Sequence, residues 1–169
     1  MKKAKSQDKI GPIGIDKTNL SQENTRARKE KPEFIIVHHT CTGTPSRTLA
    51  VLKKRGLSTH FEIDQAGKVF QYVDHLKRVA MHAGAQNEKS IGIDLTHLQG
   101  DEFTEAQMQS LAALVSALAE ECGFLPIVAP DKKFDAPDPS RYGVYRHRNF
   151  SLTRCPDNAN LEKYLTAGR

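Results

Sequence analysis

The sequence predicts an α/β fold: a single domain with a central mixed β-sheet flanked by helices on both faces. Three observations predict it. Strand-like and helix-like segments alternate from residue 33 onward, a tight hairpin sits among strand–helix–strand connections, and 169 residues that are 38% hydrophobic suffice for one substantial core. No internal repeat is present.

Each element has its own signal. "EFIIVHH", residues 33–39, is a β-branched and aromatic run ending in polar residues, which predicts a strand buried on both faces whose tip emerges at a sheet edge. "TPSRTLAVLKKRG" predicts a helix with Pro45 near its start and Gly56 just past its end. "THFEIDQAGKVFQYVD" predicts two alternating strands around the turn "QAGK", and "KSIGIDLTH" another strand. In "FTEAQMQSLAALVSALAEECG", Thr104 and Gln107 fit a capping box. Met108, Leu111, Val115, Leu118 and Cys122 recur at three and four residues, and Gly123 stands at the left-handed cap position. That stripe should lie on the sheet, with Cys122 as a small buried hydrophobe. A long proline-bearing loop follows, then the irregular stretch "RHRNFSLTRCP", and "NANLEKYLTA" closes as a short helix.

Charge divides the chain. Residues 1–32 hold nine Lys or Arg against four Asp or Glu, which is the whole net charge of +5, while residues 33–169 balance. A basic, partly disordered leader over 1–32 is therefore expected ahead of a globular domain over 33–169. Two other readings of the leader stay open: attraction to an anionic surface, and docking of "KIGPIGI" as an edge strand. A nucleic-acid partner is not expected, because the domain shows no aromatic–basic interleaving. No apolar run approaches the roughly 18 residues that cross a bilayer, and "MKKAK" leads into polar sequence, so no signal peptide is visible. Three cysteines, Cys41, Cys122 and Cys155, argue against a disulfide scaffold.

The chemistry concentrates at two places. His38 and His39 end the buried strand and point to opposite faces, so one of them serves a given site. His147 and Cys155, eight positions apart in an irregular loop, can fold back on one point. Two nitrogens and one sulfur form a borderline-soft set that favours zinc and leaves a fourth tetrahedral position for water. His75 and His97 carry no motif and are read as surface residues.

The ordered set "IIVHHT", "STHFEIDQAGKVFQYVD", "MHAG", "NEKSIGIDL" and "HRNFSLTRCP" resembles the zinc-dependent N-acetylmuramoyl-L-alanine amidases, the family of phage amidases and peptidoglycan recognition proteins, over residues 33 to 167. The resemblance implies an α/β fold, one zinc ion in a groove, and hydrolysis of the amide between the N-acetylmuramic acid lactyl group and the L-alanine of the stem peptide. It also implies peptidoglycan or a muropeptide as partner; a monomer is expected, and the place of action stays open, with the bacterial wall outside the cytoplasm favoured over cytoplasmic recycling of wall fragments. His38, His147 and Cys155 match the zinc ligands, leaving His39 structural and Cys41 as a free thiol or a disulfide candidate. Asp94 falls where several bacterial members carry a catalytic glutamate and is the first candidate for the proton shuttle, one methylene shorter. Thr59 replaces a tyrosine of phage-type members. Thr153 falls where phage enzymes have lysine and catalytic recognition proteins have threonine, so oxyanion donor and turn cap are both open. His82 aligns with the histidine of a "WHAG" motif and is placed in the substrate groove, with Met81 replacing the tryptophan. Asn87, His60 and Thr59 join it as groove residues, with packed core the other reading for His60. Two further functions stay open: a non-catalytic peptidoglycan-binding module, and a metal-free thiol hydrolase of Cys155 with His147.

Overall fold

The computed structural model describes residues 8–165. In chain order the strands are β1 (Asp8–Ile10), β2 (Ile13–Asp16), β3 (Thr25–Ala27), β4 (Phe34–His39), β5 (Phe61–Ile63), β6 (Val69–Gln71), β7 (Arg78–Ala80), β8 (Ser90–Leu95) and β9 (Val144–Arg146). The helices are α1 (Pro45–Lys54), α2 (Glu105–Cys122) and α3 (Leu161–Leu165). Seven strands form one mixed sheet in the order β1-β2-β6-β5-β8-β4-β9, and β3 pairs with β7 in a separate two-stranded sheet. The centre, β5-β8-β4-β9, is parallel throughout.

β4 lies second from one edge of the sheet with five of its six residues buried, as its apolar run predicts. Its alternate residues Ile35 and Val37 join Phe61, Ile63, Ile91, Ile93 and Leu95 on the face covered by α2 and by Leu161 of α3. Met108, Leu111, Val115, Leu118 and Cys122 of α2 are all buried there, and burying each large apolar side chain contributes about 1.5–3 kcal/mol. The opposite face carries α1 and an aromatic cluster in which Phe34, Ile36 and Tyr145 pack with Phe134, Tyr142 and Phe150. Helices therefore cover both faces.

The helix ends follow the sequence with one difference. Thr44 and Thr104 cap α1 and α2, and Gly123 ends α2 at φ 76°. The capping box at Thr104 is only half made, because the Gln107 amide reaches inward and donates to the carbonyls of Ile63 and Thr96, 2.9 Å each. Two buried carbonyls, one in β5 and one just past β8, claim it over the cap.

Residues 8–32 differ from a solvated leader. Ile10 and Ile15 are in the main core, and β2 runs parallel to β6 with Asp16 paired to Lys68 at 2.6 Å. Arg28 donates to the carbonyls of Arg78 and Ser90, at 3.2 and 3.0 Å, and to that of Glu88. "KIGPIGI" docks as the β1–β2 hairpin with β1 at the sheet edge, and composition misled because the uncharged stretch 10–15 that docks is averaged with the basic residues around it. Residues 1–7 and 166–169, which include the ends of the expected leader and closing helix, lie outside the described residues.

Candidate metal centre

His38 stands near the carboxyl end of β4, 6% exposed, and β9 runs beside it with Val37 paired to Arg146. The chain then turns through a 3-10 turn, His147–Asn149, which sets the His147 ring beside that of His38 with centroids 4.6 Å apart. Asn149 fixes this turn: its Oδ1 accepts from the Arg146 N–H at 2.7 Å, and its Nδ2 donates to the carbonyls of Pro130 and Lys132.

Cys155 is brought in from the same loop and held on three sides. The His39 N–H points at its Sγ (3.3 Å), the Arg148 N–H donates to its carbonyl (2.8 Å), and its own N–H donates to Thr153 Oγ1 (3.2 Å). Arg148 clamps the loop further, donating to the Arg154 and Asp157 carbonyls while Asp131 takes its guanidinium at 2.8 and 2.7 Å. The donor atoms of His38, His147 and Cys155 all lie within 4.8 Å of one another, with His38 Nδ1 3.9 Å from the sulfur. Two imidazoles and a thiol at this spacing fit zinc, and three ligands leave one corner of a tetrahedron free. Burial pushes the Cys155 thiol up to about 12.

Beside the donors, the ladder sets a row of buried groups on one face: His38 pairs with Asp94, and Asp94 with Glu62. Burial, then the charge of Glu62, pushes the Asp94 carboxyl up to about 8, against a 3.4 Å bond from Thr59 Oγ1. Glu62 is fully buried and accepts from Thr48, Thr96 and Tyr72 at 2.8, 2.6 and 2.8 Å. Sequence reading missed Glu62: an alternating hairpin places it toward solvent, and its three hydroxyl partners come from three separate segments. A glutamate inside an apolar strand run was the only signal.

The expected groove residues separate. His82 lines a groove with Met81, Asn87, His147, Phe150 and Ser151, and its ring bonds His38 Nε2 at 2.9 Å and Ser90 Oγ at 3.1 Å. Burial holds both His38 and His82 well below the usual imidazole range. Asn87 also lines this groove, but its Oδ1 accepts the N–H groups of His82 and Ala83, at 3.1 and 2.6 Å, so it shapes the loop. His60 is core, 0% exposed, with Nδ1 accepting the Gly92 N–H at 2.9 Å and Nε2 3.1 Å from the Arg78 carbonyl. Thr59 is buried behind Asp94 and borders a different cavity, walled by Asn24, Leu49, Leu52 and Tyr72. Thr153 is exposed and caps the turn at Cys155.

The other polar residues also resolve. His39 points away from the donors and packs edge-on to His97 at 5.6 Å. His75 and His97, expected on the surface, are buried: His75 lies between Gln71 and Glu121, and His97 stacks on Phe103 at 4.1 Å. Partners distant in sequence cover them, which no local pattern shows. Cys41 is exposed, and all three cysteines are free. Lys133, unnoticed in the sequence, donates to the carbonyls of Arg148 and Ser151 and helps hold His147 below the usual imidazole range, after burial.

A parallel-centred α/β sheet thus carries a candidate nitrogen–sulfur metal-donor set at and beyond the carboxyl ends of β4 and β9, with buried carboxyls beside it. The family model of N-acetylmuramoyl-L-alanine amidases matches residues 28–158, and the chain belongs to that family. The N-acetylmuramoyl-L-alanine amidase LysC from Clostridium intestinale shares the fold with a TM-score of 0.69 and 25% identity, over 90% of this chain and 95% of that one. The Ph2119 endolysin of a Thermus scotoductus bacteriophage matches at TM-score 0.67 and 16% identity, over 90% and 97%. Staphylococcus aureus hydrolase AmiA matches at 0.63 and 17%, over 96% and 78%. At those identities the last two show the fold alone. No curated protein matches the chain in sequence. Among the described residues no helix is long and apolar enough to cross a membrane.

Proposed function

We propose that this amidase is zinc-dependent and cleaves the bond between N-acetylmuramic acid and the L-alanine of the stem peptide, acting as a monomer on the bacterial wall or its muropeptides. The convergence of His38, His147 and Cys155 donor atoms within 4.8 Å carries the reading. When bound, zinc supplies Lewis-acid polarisation and lowers the pKa of its water to about 7. The chain supplies the remainder. Asp94, pushed up to about 8 beside His38, exchanges a proton near neutral pH, as the shuttle between attacking water and leaving amine requires. The groove past His82, Met81 and Phe150 receives the substrate, and Thr153 keeps its hydroxyl proton for an oxyanion while it caps the turn.

The thiol-hydrolase alternative is disfavoured by geometry, because the Cys155 sulfur is buried and faced by His38 as well as His147, a third donor that a thiol–imidazole pair does not need. Chelation tests the reading against both alternatives. Amidase activity on purified sacculi and soluble muropeptides, followed by mass spectrometry, is expected to vanish with chelator and return with zinc. Chelator-resistant activity blocked by alkylation, or wall binding without release of stem peptide, overturns it.

A further inference from the structure

His82 belongs to the groove by its position, yet both of its ring nitrogens face inward. Starting from the far end, Ser90 Oγ lies 2.7 Å from the Gln86 carbonyl oxygen. Two oxygens approach that closely only with a proton between them, and a carbonyl has none to give, so the Ser90 hydroxyl donates. Its single proton is thereby engaged. The contact of 3.1 Å from Ser90 Oγ to His82 Nε2 then requires the proton on the imidazole, so Nε2 of His82 is N–H and Nδ1 carries the lone pair. His38 Nε2, 2.9 Å from that lone pair, must in turn be N–H. The lone pair of His38 is left on Nδ1, the nitrogen 3.9 Å from the Cys155 sulfur.

The packing admits little alternative. A Cβ at Gly92 would come within 2.8 Å of the His82 ring, so the absence of a side chain on β8 lets the ring lie flat against the strand. Asn87 pins the His82 backbone from the other side at 3.1 Å.

We propose that the relay Gln86–Ser90–His82 positions His38: it fixes the tautomer and the ring orientation that present Nδ1 to the metal. The inference rests on His38 being a metal ligand. His82 is thus a positioning residue as well as a groove wall, and Ser90, fully buried behind it, supports the metal site. Partners that orient a ligating histidine through its other nitrogen typically contribute 10–100-fold in metal affinity.

The full-length protein tests this with Zn2+ as the probe, titrated against a chromophoric chelator, and Co2+ as a spectroscopic substitute. His82→Phe is expected to weaken Zn2+ binding 10–100-fold and alter the Co2+ spectrum. His82→Asn, which keeps an acceptor near the position of Nδ1, recovers most of the affinity, and Ser90→Ala gives an intermediate loss. Nitrogen-15 NMR of the metal-free protein reads the tautomers directly: Nε2–H on both His38 and His82 is expected, with Nδ1–H appearing on His38 in Ser90→Ala. Should His82→Phe fail to fold, Ser90→Ala and the NMR measurement decide. Zn2+ affinities of folded variants within twofold of wild type, or Nδ1–H on His38 in the wild type, overturn the relay. Wild-type protein that binds no stoichiometric Zn2+ instead sinks the zinc reading, and this inference with it.

Discussion

Asp94 and Cys155 are buried for different ends. Burial raises both, the carboxyl to about 8 and the thiol to about 12, but their surroundings separate their roles. Asp94 has one hydroxyl partner and a second carboxyl two strands from His38, a setting that keeps its proton exchangeable. Cys155 has a backbone N–H aimed at its sulfur and two imidazoles beside it, a setting that waits for a cation. Asp94→Asn should therefore reduce amidase turnover by about 10²–10⁴-fold while stoichiometric zinc binding persists. Cys155→Ser should lose both zinc and activity. Turnover within tenfold of wild type in Asp94→Asn would remove Asp94 from the shuttle role, and zinc retained at wild-type affinity in Cys155→Ser would remove Cys155 from the ligand set.

At the scale of elements, β4 illustrates how periodicity converts into placement. An apolar run buried on both faces must sit inside a sheet, and pairing with β8 and β9 sets His38 between Asp94 and the start of the His147 turn. The strands that sequence reading missed are β3, β7 and β9, three residues each and outside any alternating run, whereas β1 lies in the "KIGPIGI" stretch whose docking was one open reading. β1 and β2 tie the start of the described residues to the sheet. Deleting residues 1–16 removes two strands and takes Ile10 and Ile15 out of the core, a loss of about 3 kcal/mol or more. For a chain of this size that lowers the melting temperature by about 6–12 °C, read by thermal denaturation. An unchanged melting temperature would restore the solvated-arm reading.

Across the whole molecule, buried histidines tie stability to pH. His60 is held at about 3, by burial first and by the charge of Arg28 second, against an ordinary value of 6.5. Above about pH 6.5 neither folded nor unfolded chain binds the extra proton. As pH falls from there toward about 3, the unfolded chain takes it up and the folded chain does not, so stability drops by about 1.4 kcal/mol per pH unit for this residue. Burial also holds His75 and His82 below the usual imidazole range, which adds in the same direction. The Asp94 carboxyl, raised to about 8, takes its proton first in the fold and opposes this trend. Burial lowers six imidazoles, however, so denaturant midpoints of the metal-free protein should still be lower at pH 5 than at pH 7. Equal midpoints would show that the imidazoles do not dominate.

The sequence by itself determined the fold class, the strand ending in His38, the hairpin, the buried stripe of α2 and the three donor residues, because each is written in local periodicity or in motifs of fixed spacing. Only the tertiary structure decided which polar side chains face inward. His75 and His97 look alike in sequence to exposed histidines, and Glu62 to an exposed glutamate, until partners from distant segments close over them, and the same packing settles His60 as core over groove wall. The same holds for His82 and Ser90, whose meaning lies in a chain of protons from Gln86 to His38 across two strands. Hydrogen bonds between segments far apart along the chain leave no periodic trace, so their direction exists only once the sheet has brought donors and acceptors within about 3 Å.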